Sequence, residues 1–396
     1  MEQREQPASS TVAILNAIQL EDFTSNVDRH KTLVAASALI SRLETPLETT
    51  ERLCMHEPAL GACLKIAKDL DLWGKWHEHG DEPLDSSSLA AMVGCQPDLL
   101  VRVLRHLAAN HVLEQVSGDT FKPTRFWRAL SQPAVGECIN FLYDLSIPTF
   151  FKAPSFLQST SYANPTDAKA GIFQAAKANF PGDLYAYLAE HPREGASFNS
   201  IMTGVAETLP SWTDMLPVQE RILQGADTDP TSPLIVDIGG NVGHDTERFR
   251  QAYPDLASRL YLQDRENVVS RATCADAVNK VAHDFFTPQP ISGARVYYLH
   301  SILHNWTDES CKLILEMVKG AMKRGYSKLL IHEHVVPETG LHPHTTSFDL
   351  IMMALFGAKE RTEPEWRALL ESAGFKIVNI WTSELAVQAV IEAELA

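Results

Sequence analysis

Two stretches hold residues whose types could do chemistry. "YYLHSILHNW", residues 297–306, runs as an apolar strand into two histidines, an asparagine and a tryptophan. An imidazole at such a strand end, here His304, is a candidate general base, because its unperturbed pKa near ~6.5 lets it take and return a proton around neutrality. "VDIGGNVGH", residues 236–244, ends another apolar strand with Asp237 and sets Gly239, Gly240 and Gly243 in the turn that follows. Glycines let the chain fold tightly there and let a ligand approach the backbone. Asp264 closes the next strand in "YLQD", where a carboxylate can accept both hydroxyls of a ribose. Strand, glycine turn, helix and second acid together imply a nucleoside-containing cofactor, and the glycine spacing is not the G-x-G-x-x-G of a dinucleotide site.

The elements that position these residues come from a chain of 396 residues, 45% hydrophobic and 21% charged, enough for a sizeable core and two domains. Its 50 acidic side chains exceed the 34 basic ones, for a net charge of -16, and such a field repels phosphate backbones and anionic membrane surfaces. Nucleic acid and membrane are therefore set aside as partners. No basic leader precedes an apolar core, and no run reaches the ~18 apolar residues of a membrane span, so a cytoplasmic location is expected. Six cysteines without a CxxC pair read as reduced, mostly buried thiols.

Residues 11 to about 225 carry apolar residues at helical spacing, as in "KTLVAASALISRL" and "LLVRVLRHLAAN". Within them, residues 83–124 predict helix, turn, helix and a β wing, with Ser87 or Ser88 capping the first helix and Asp98 the second. The would-be recognition helix offers Arg102, Arg105 and His106 on a narrow polar face, which suits a scaffold or dimerisation role better than DNA reading. "QGADTDPTSP", residues 224–233, marks the boundary between domains 1–225 and 226–396. Beyond it strands alternate with helices, which predicts a parallel sheet covered on both faces. "FKIVNIW" and "LAVQAVIEAEL" predict a closing hairpin with an antiparallel strand at the sheet edge.

The motif at 237–243 resembles the first motif of S-adenosylmethionine-dependent methyltransferases. The run from "YYLHSILHNWTDESCKLIL" through "KLLIHEHVVPETG" to "FDLIMMALFGAKERTEPEWRALLESAGF" resembles the plant and fungal small-molecule O-methyltransferases of the caffeate O-methyltransferase type, strongly over 234–376 and loosely from about 60 to 225. "PSWTDMLP", residues 210–217, resembles the helix before the cofactor domain of the fungal secondary-metabolite members. That resemblance implies a Rossmann-like doubly wound methyltransferase domain behind a mostly helical, winged-helix-like domain that dimerises. It implies S-adenosylmethionine bound by Asp237, Gly239, Gly240, Gly243 and Asp264, with Asp284 and Phe285 at the adenine and His300 nearby. It implies His304 as base, Glu333 and Glu360 beside its ring, Met352 in the substrate wall, and Trp212, Asn305 and Trp306 around the same pocket. The acceptor would be a hydroxyl of a small aromatic or polyketide-like molecule.

A phenol with a pKa near ~10 gives its proton to an ordinary imidazole at a cost of roughly 5 kcal/mol, so the base needs a carboxylate beside it. His304 follows one strand and Glu333 sits on the next, so adjacent parallel strands bring both to the carboxyl end of the sheet. Three positions depart from the family pattern: Asn241 replaces a loop glycine, Asn305 an aspartate, and His300 a Lys or Arg. Such departures also suit a second reading, a methyltransferase-like pericyclase in which His304, Asn305 and His332 donate hydrogen bonds to a carbonyl. No metal site is expected: His332 and His334 on one strand, with His342 and His344 in the following loop, form no tetrahedral framework.

Overall fold

The computed structural model describes residues 6–208, 210–383 and 387–396. The chain divides into two compact units, the first ending at Pro58 and the second running from Ala59 to Ala396. In the first, helices span Gln6–Ala17, Asn26–Leu43 and Pro46–Glu51, with Ser25 and Thr45 capping the last two. Neither Asn26–Leu43 nor Pro46–Glu51 buries a residue, and Val12, Ile14, Leu15, Leu33, Val34, Ile40 and Leu43 are exposed.

The second unit begins with helices around a small sheet of β1 (Leu84–Asp85), β2 (Leu113–Ser117) and β3 (Thr120–Pro123), ordered β1-β3-β2. The expected wing is present as the antiparallel pair β2 and β3. The expected caps are not. Asp85 caps the helix Ser86–Val93 by accepting from the Ser88 N–H at 2.9 Å, and Ser87 and Ser88 lie inside the first turn. The helix Pro97–Ala109 starts from Gln96 because Pro97, with no N–H to satisfy, takes the first helical position and pushes Asp98 inside.

The main sheet is built from β4 (Ile235–Ile238), β5 (Leu260–Asp264), β6 (Asn279–Ala282), β7 (Val296–His300), β8 (Lys328–Glu333), β11 (Phe375–Trp381) and β12 (Ala389–Leu395), with the short pair β9 (Val335–Val336) and β10 (Arg361–Thr362) beside it. Its order is β11-β12-β8-β7-β4-β5-β6. Neighbours from β8 to β6 run parallel, and β12 runs antiparallel to both β8 and β11. The hairpin forms as expected, but its antiparallel strand lies one place in from the edge, since the return of the chain inserts β12 between β11 and β8. Leu385 and Ala386 of the expected last strand lie outside the described residues.

Strand alternation sends side chains to two cores, as a sheet covered on both faces requires. Val236, Tyr297, Leu299, Leu329 and Ile331 pack against the helices Asp308–Ala321 and Glu363–Ser372. Ile235, Leu262, Val296, Tyr298 and Leu330 pack on the opposite face against Trp212, Met215 and Phe249. β4 is buried at every residue and apolar except for Asp237, as a strand covered on both faces requires. Among the described residues no helix is long and apolar enough to cross a membrane.

Candidate active site

Parallel pairing sets the geometry of the catalytic candidates. β7 and β8 pair with His300 opposite His332, so the turn after β7 lies beside Glu333 at the end of β8. One oxygen of Glu333 accepts from the backbone N–H groups of Ile302 and Leu303 at 2.8 Å and of His304 at 3.4 Å. The two-residue pairing of β9 with β10 then brings Glu360, far along the chain, next to the strand end. Glu360 Oε1 lies 2.8 Å from His304 Nδ1, and Glu333 Oε2 lies 3.5 Å from the same atom. Burial presses the His304 pKa down, but the charges of Glu333 and Glu360 outweigh it and hold the ring up at about 9. Burial would raise Glu360, and the His304 charge and hydrogen bond instead hold it at about 2. A neutral His304 therefore carries its proton on Nδ1, toward Glu360, and Nε2 is the atom that can take another.

Arg361 secures the same turn from its other side. It is 1% exposed and donates to the carbonyls of Leu303 at 3.1 Å and Trp306 at 3.0 Å and to the Asp308 carboxylate. Glu333 thus takes the turn's N–H groups and Arg361 its C=O groups. Ser301 enters the turn with φ at +52°, a left-handed conformation that costs a non-glycine residue energy and persists only where its surroundings impose it. Arg361→Met should remove the charged donor from both carbonyls, leaving them the weaker Cys311 thiol at 3.2 and 3.5 Å, and lower stability by about 2 kcal/mol in denaturant titration. Position 361 gave no catalytic signal in sequence, because its role is to the backbone of a distant turn.

The cofactor candidates gather at the ends of β4 and β5. Asp237 is 2% exposed, accepts from the Thr246 hydroxyl at 2.6 Å and keeps Oδ1 buried without a hydrogen-bond partner. Burial, reinforced by the nearby Asp245 charge, pushes its pKa up to about 7. A Cβ on Gly240 would lie 2.5 Å from that carboxylate, and one on Gly239 would lie 2.6 Å from Ile302 and 3.7 Å from Phe285. Gly239 and Gly243 take φ of +73° and +95°. Asn241 takes +55°, the left-handed geometry that asparagine tolerates better than other side chains, and its N–H donates to Asp264 at 2.9 Å. Asp284 is exposed and accepts from the Phe286 N–H at 3.0 Å. An open backbone turn between two carboxylates, one with an unused buried oxygen, fits a ligand rich in hydroxyl and ammonium donors.

His300, standing where the family pattern has Lys or Arg, is shifted toward its protonated form by its surroundings. Burial lowers its pKa, but Asp245, 2.6 Å from Nδ1, outweighs burial and raises it. Its Nε2 lies 3.1 Å from Gln388, and its ring stacks at 4.0 Å on His332, whose pKa burial drives well down. Asp245 and Gln388 were missed in sequence; the only signal for Asp245 was an acid in the first turn after the glycine loop.

The expected substrate residues separate. Asn305 donates to the Ser301 carbonyl at 3.1 Å. Trp306 meets Phe286 edge-on at 4.9 Å and Phe285 at 6.0 Å, beside the cofactor turn. Met352 is buried in a cluster with Phe141, Phe173 and Leu355, and Phe348, one turn before it, stacks at 6.0 Å on His304. Trp212 is not brought to them: it is 1% exposed and stacks on Phe249 at 5.5 Å in the opposite core.

A family model described as the O-methyltransferase domain matches residues 173–376. The O-methyltransferase mfmE of Annulohypoxylon moriforme is 54% identical over 386 residues, which cover 98% of this chain and 95% of that protein. The chain belongs to the O-methyltransferases. The O-methyltransferase mpaG of Penicillium brevicompactum is 35% identical over 98% of this chain and 99% of its own length. Among solved structures, one described as "A Pericyclic Reaction enzyme" aligns with a TM-score of 0.90 at 29% identity, covering 98% of this chain and 100% of that one. The complex of LepI with SAM aligns with the same values. This O-methyltransferase is an enzyme of the Rossmann-like class, and S-adenosylmethionine is its cofactor.

Proposed function

We propose that the enzyme methylates a phenolic or enolic hydroxyl of a small aromatic or polyketide-like secondary metabolite, with His304 as general base. The observation that carries this reading is the His304 ring held by Glu360 at 2.8 Å and Glu333 at 3.5 Å, with its pKa near 9. S-adenosylmethionine, held by the turn of Gly239, Gly240 and Gly243 between Asp237 and Asp264, supplies the electrophilic methyl. His304 Nε2 takes the hydroxyl proton as the oxygen attacks, Glu360 stabilises the imidazolium, and Glu333 fixes the turn that carries the ring. Met352 and Phe348 belong to the apolar wall, and residues 226–396 act as the cofactor domain behind the helical part, 1–225. The test is incubation with a panel of phenolic acceptors and detection of S-adenosylhomocysteine and a product heavier by one methyl.

A base with a folded pKa of about 9 is mostly protonated at pH 7. Its reactive form grows as pH rises, so kcat/KM should climb about tenfold per unit between pH 7 and 8 and level off near the folded pKa. A profile already flat below pH 7 would remove His304 from this role. The sign for stability is opposite: the ion pair of His304 with Glu333 and Glu360 contributes fully below the unfolded value of ~6.5 and is lost as pH passes about 9.

The same reading includes a homodimer. Support comes from the first unit, whose helices expose Leu33, Val34, Ile40 and Leu43 and whose central helix buries no residue of its own. Val34→Glu with Ile40→Glu should convert a dimer into a monomer in sedimentation, and a monomeric parent would refute the pairing.

One observation favours a second reading. The alignment with the pericyclic enzyme, at 29% identity over nearly the whole chain, makes a pericyclase of the same fold the rival. A cationic His304 would then polarise a carbonyl, and the product would appear at unchanged mass.

A further inference from the structure

His334 has no part in the chemistry above, and its surroundings are incomplete. It is 2% exposed; Nδ1 approaches Glu360 at 3.2 Å without good hydrogen-bond geometry, and Nε2 has no hydrogen-bond partner. Beside it, Glu360 Oε2 and Glu333 Oε2 are also buried and accept no hydrogen bond, although Glu333 Oε2 keeps an ion-pair distance of 3.5 Å to His304. Buried hydrogen-bonding capacity left unused costs about 1–3 kcal/mol per group, so this cluster has spare donor atoms for a bound cation. The sequence groups His334 with His332, His342 and His344. The fold groups it with Glu360, because β10 pairs with β9 immediately after it.

We propose that His304, His334 and Glu360 form a binding site for one divalent transition-metal ion of the zinc type, and that filling it disables the base. The donor atoms lie within 4.8 Å of one another. Nδ1 of His304 is 2.8 Å and Nδ1 of His334 3.2 Å from Oε1 of Glu360. Ligands about 2.0–2.1 Å from a tetrahedral zinc stand roughly 3.3 Å apart, so both contacts to Glu360 are already close to that separation and the widest pair of donor atoms must close by about 1.5 Å at most. Glu333 Oε2, 3.5 Å from His304 Nδ1, is placed to act as fourth ligand. Two carboxylates, two neutral imidazoles and a divalent cation sum to zero charge in a buried place, and two imidazoles select zinc, cobalt or nickel over magnesium or calcium.

The consequence for the base follows from the tautomer. An imidazole bound through Nδ1 carries its single proton on Nε2, so it can no longer accept one from a hydroxyl. The ion displaces the Nδ1 proton that joins His304 to Glu360 and takes no part in methyl transfer. This inhibition rests on the base reading, whereas binding of the ion does not.

The test uses the whole chelator-treated enzyme titrated with Co2+, whose tetrahedral complexes absorb in the visible. The expected result is d–d bands that saturate at one equivalent and vanish on adding Zn2+. His334→Leu should abolish the bands and weaken Zn2+ binding at least about tenfold by calorimetry, while cofactor binding is unchanged. His334→Phe repeats the loss with a different packing, and melting curves confirm that each variant is folded. Methyl transfer by the parent should fall with added Zn2+ and recover with chelator, and the variants should resist. Absence of the bands in the folded parent, or their survival in both variants, would overturn the site. Bands in an enzyme that binds cofactor yet never transfers methyl would uphold the site and remove the base reading.

Discussion

His304→Ala is expected to lower kcat/KM for methyl transfer about 10³-fold while S-adenosylhomocysteine still binds with parental affinity, as read by calorimetry. The magnitude follows from pKa matching. An ordinary imidazole lies about 3.5 units below a phenol, but at about 9 the His304 ring lies within roughly one unit, which reduces the uphill transfer from about 5 to about 1.4 kcal/mol. Removing the ring also leaves Glu360 buried beside Glu333 without its cation. The variant should therefore be less stable as well, and a melting curve separates that loss from the kinetic one. Unchanged turnover in a folded variant would transfer the chemistry to another group, and the pericyclic reading would then take precedence if the product kept the mass of its substrate.

Much of this arrangement was legible in the sequence, for identifiable physical reasons. β4 and β7 announce themselves because strands covered on both faces are mostly apolar, broken here only near their ends at Asp237 and His300, and the glycine turn after β4 because a Cβ there has nowhere to go. The proximity of Glu333 to His304 also follows from parallel neighbours ending together. What the sequence hid depends on contacts made by backbone or by distant residues. The place of β12 inside the sheet is set by which edge the returning chain reaches. The upward shift of the His300 pKa comes from Asp245, fifty-five positions away in the chain. The meeting of His334 with Glu360 depends on a pairing of two residues between β9 and β10 that carries no periodic signal. Trp212 shows the opposite error, since a tryptophan in a matched motif reads as a pocket wall and the fold uses it to stack on Phe249.

Gly240→Ala should be the most damaging single-methyl change in the cofactor turn. Its Cβ would lie 2.5 Å from Cγ and Oδ2 of Asp237 and 2.6 Å from Oδ1, which is far inside van der Waals contact. A flexible side chain would move aside, but this carboxylate is 2% exposed and bound to Thr246 at 2.6 Å. Either it gives up that hydrogen bond or the turn itself shifts, and overpacking of this kind costs about 1–3 kcal/mol. Both routes displace the buried, partnerless Oδ1 of Asp237, so if the proposed cofactor turn is right the affinity for S-adenosylmethionine should fall at least about tenfold, in line with the loss of one charge-assisted hydrogen bond. The control is the same substitution where a Cβ meets nothing. Gly320 lies in the helix Asp308–Ala321 with open space around its missing Cβ, so Gly320→Ala should raise stability by about 0.5 kcal/mol and leave cofactor binding alone. If calorimetry found the two variants alike in affinity, the turn at 239–243 would not be where the cofactor rests.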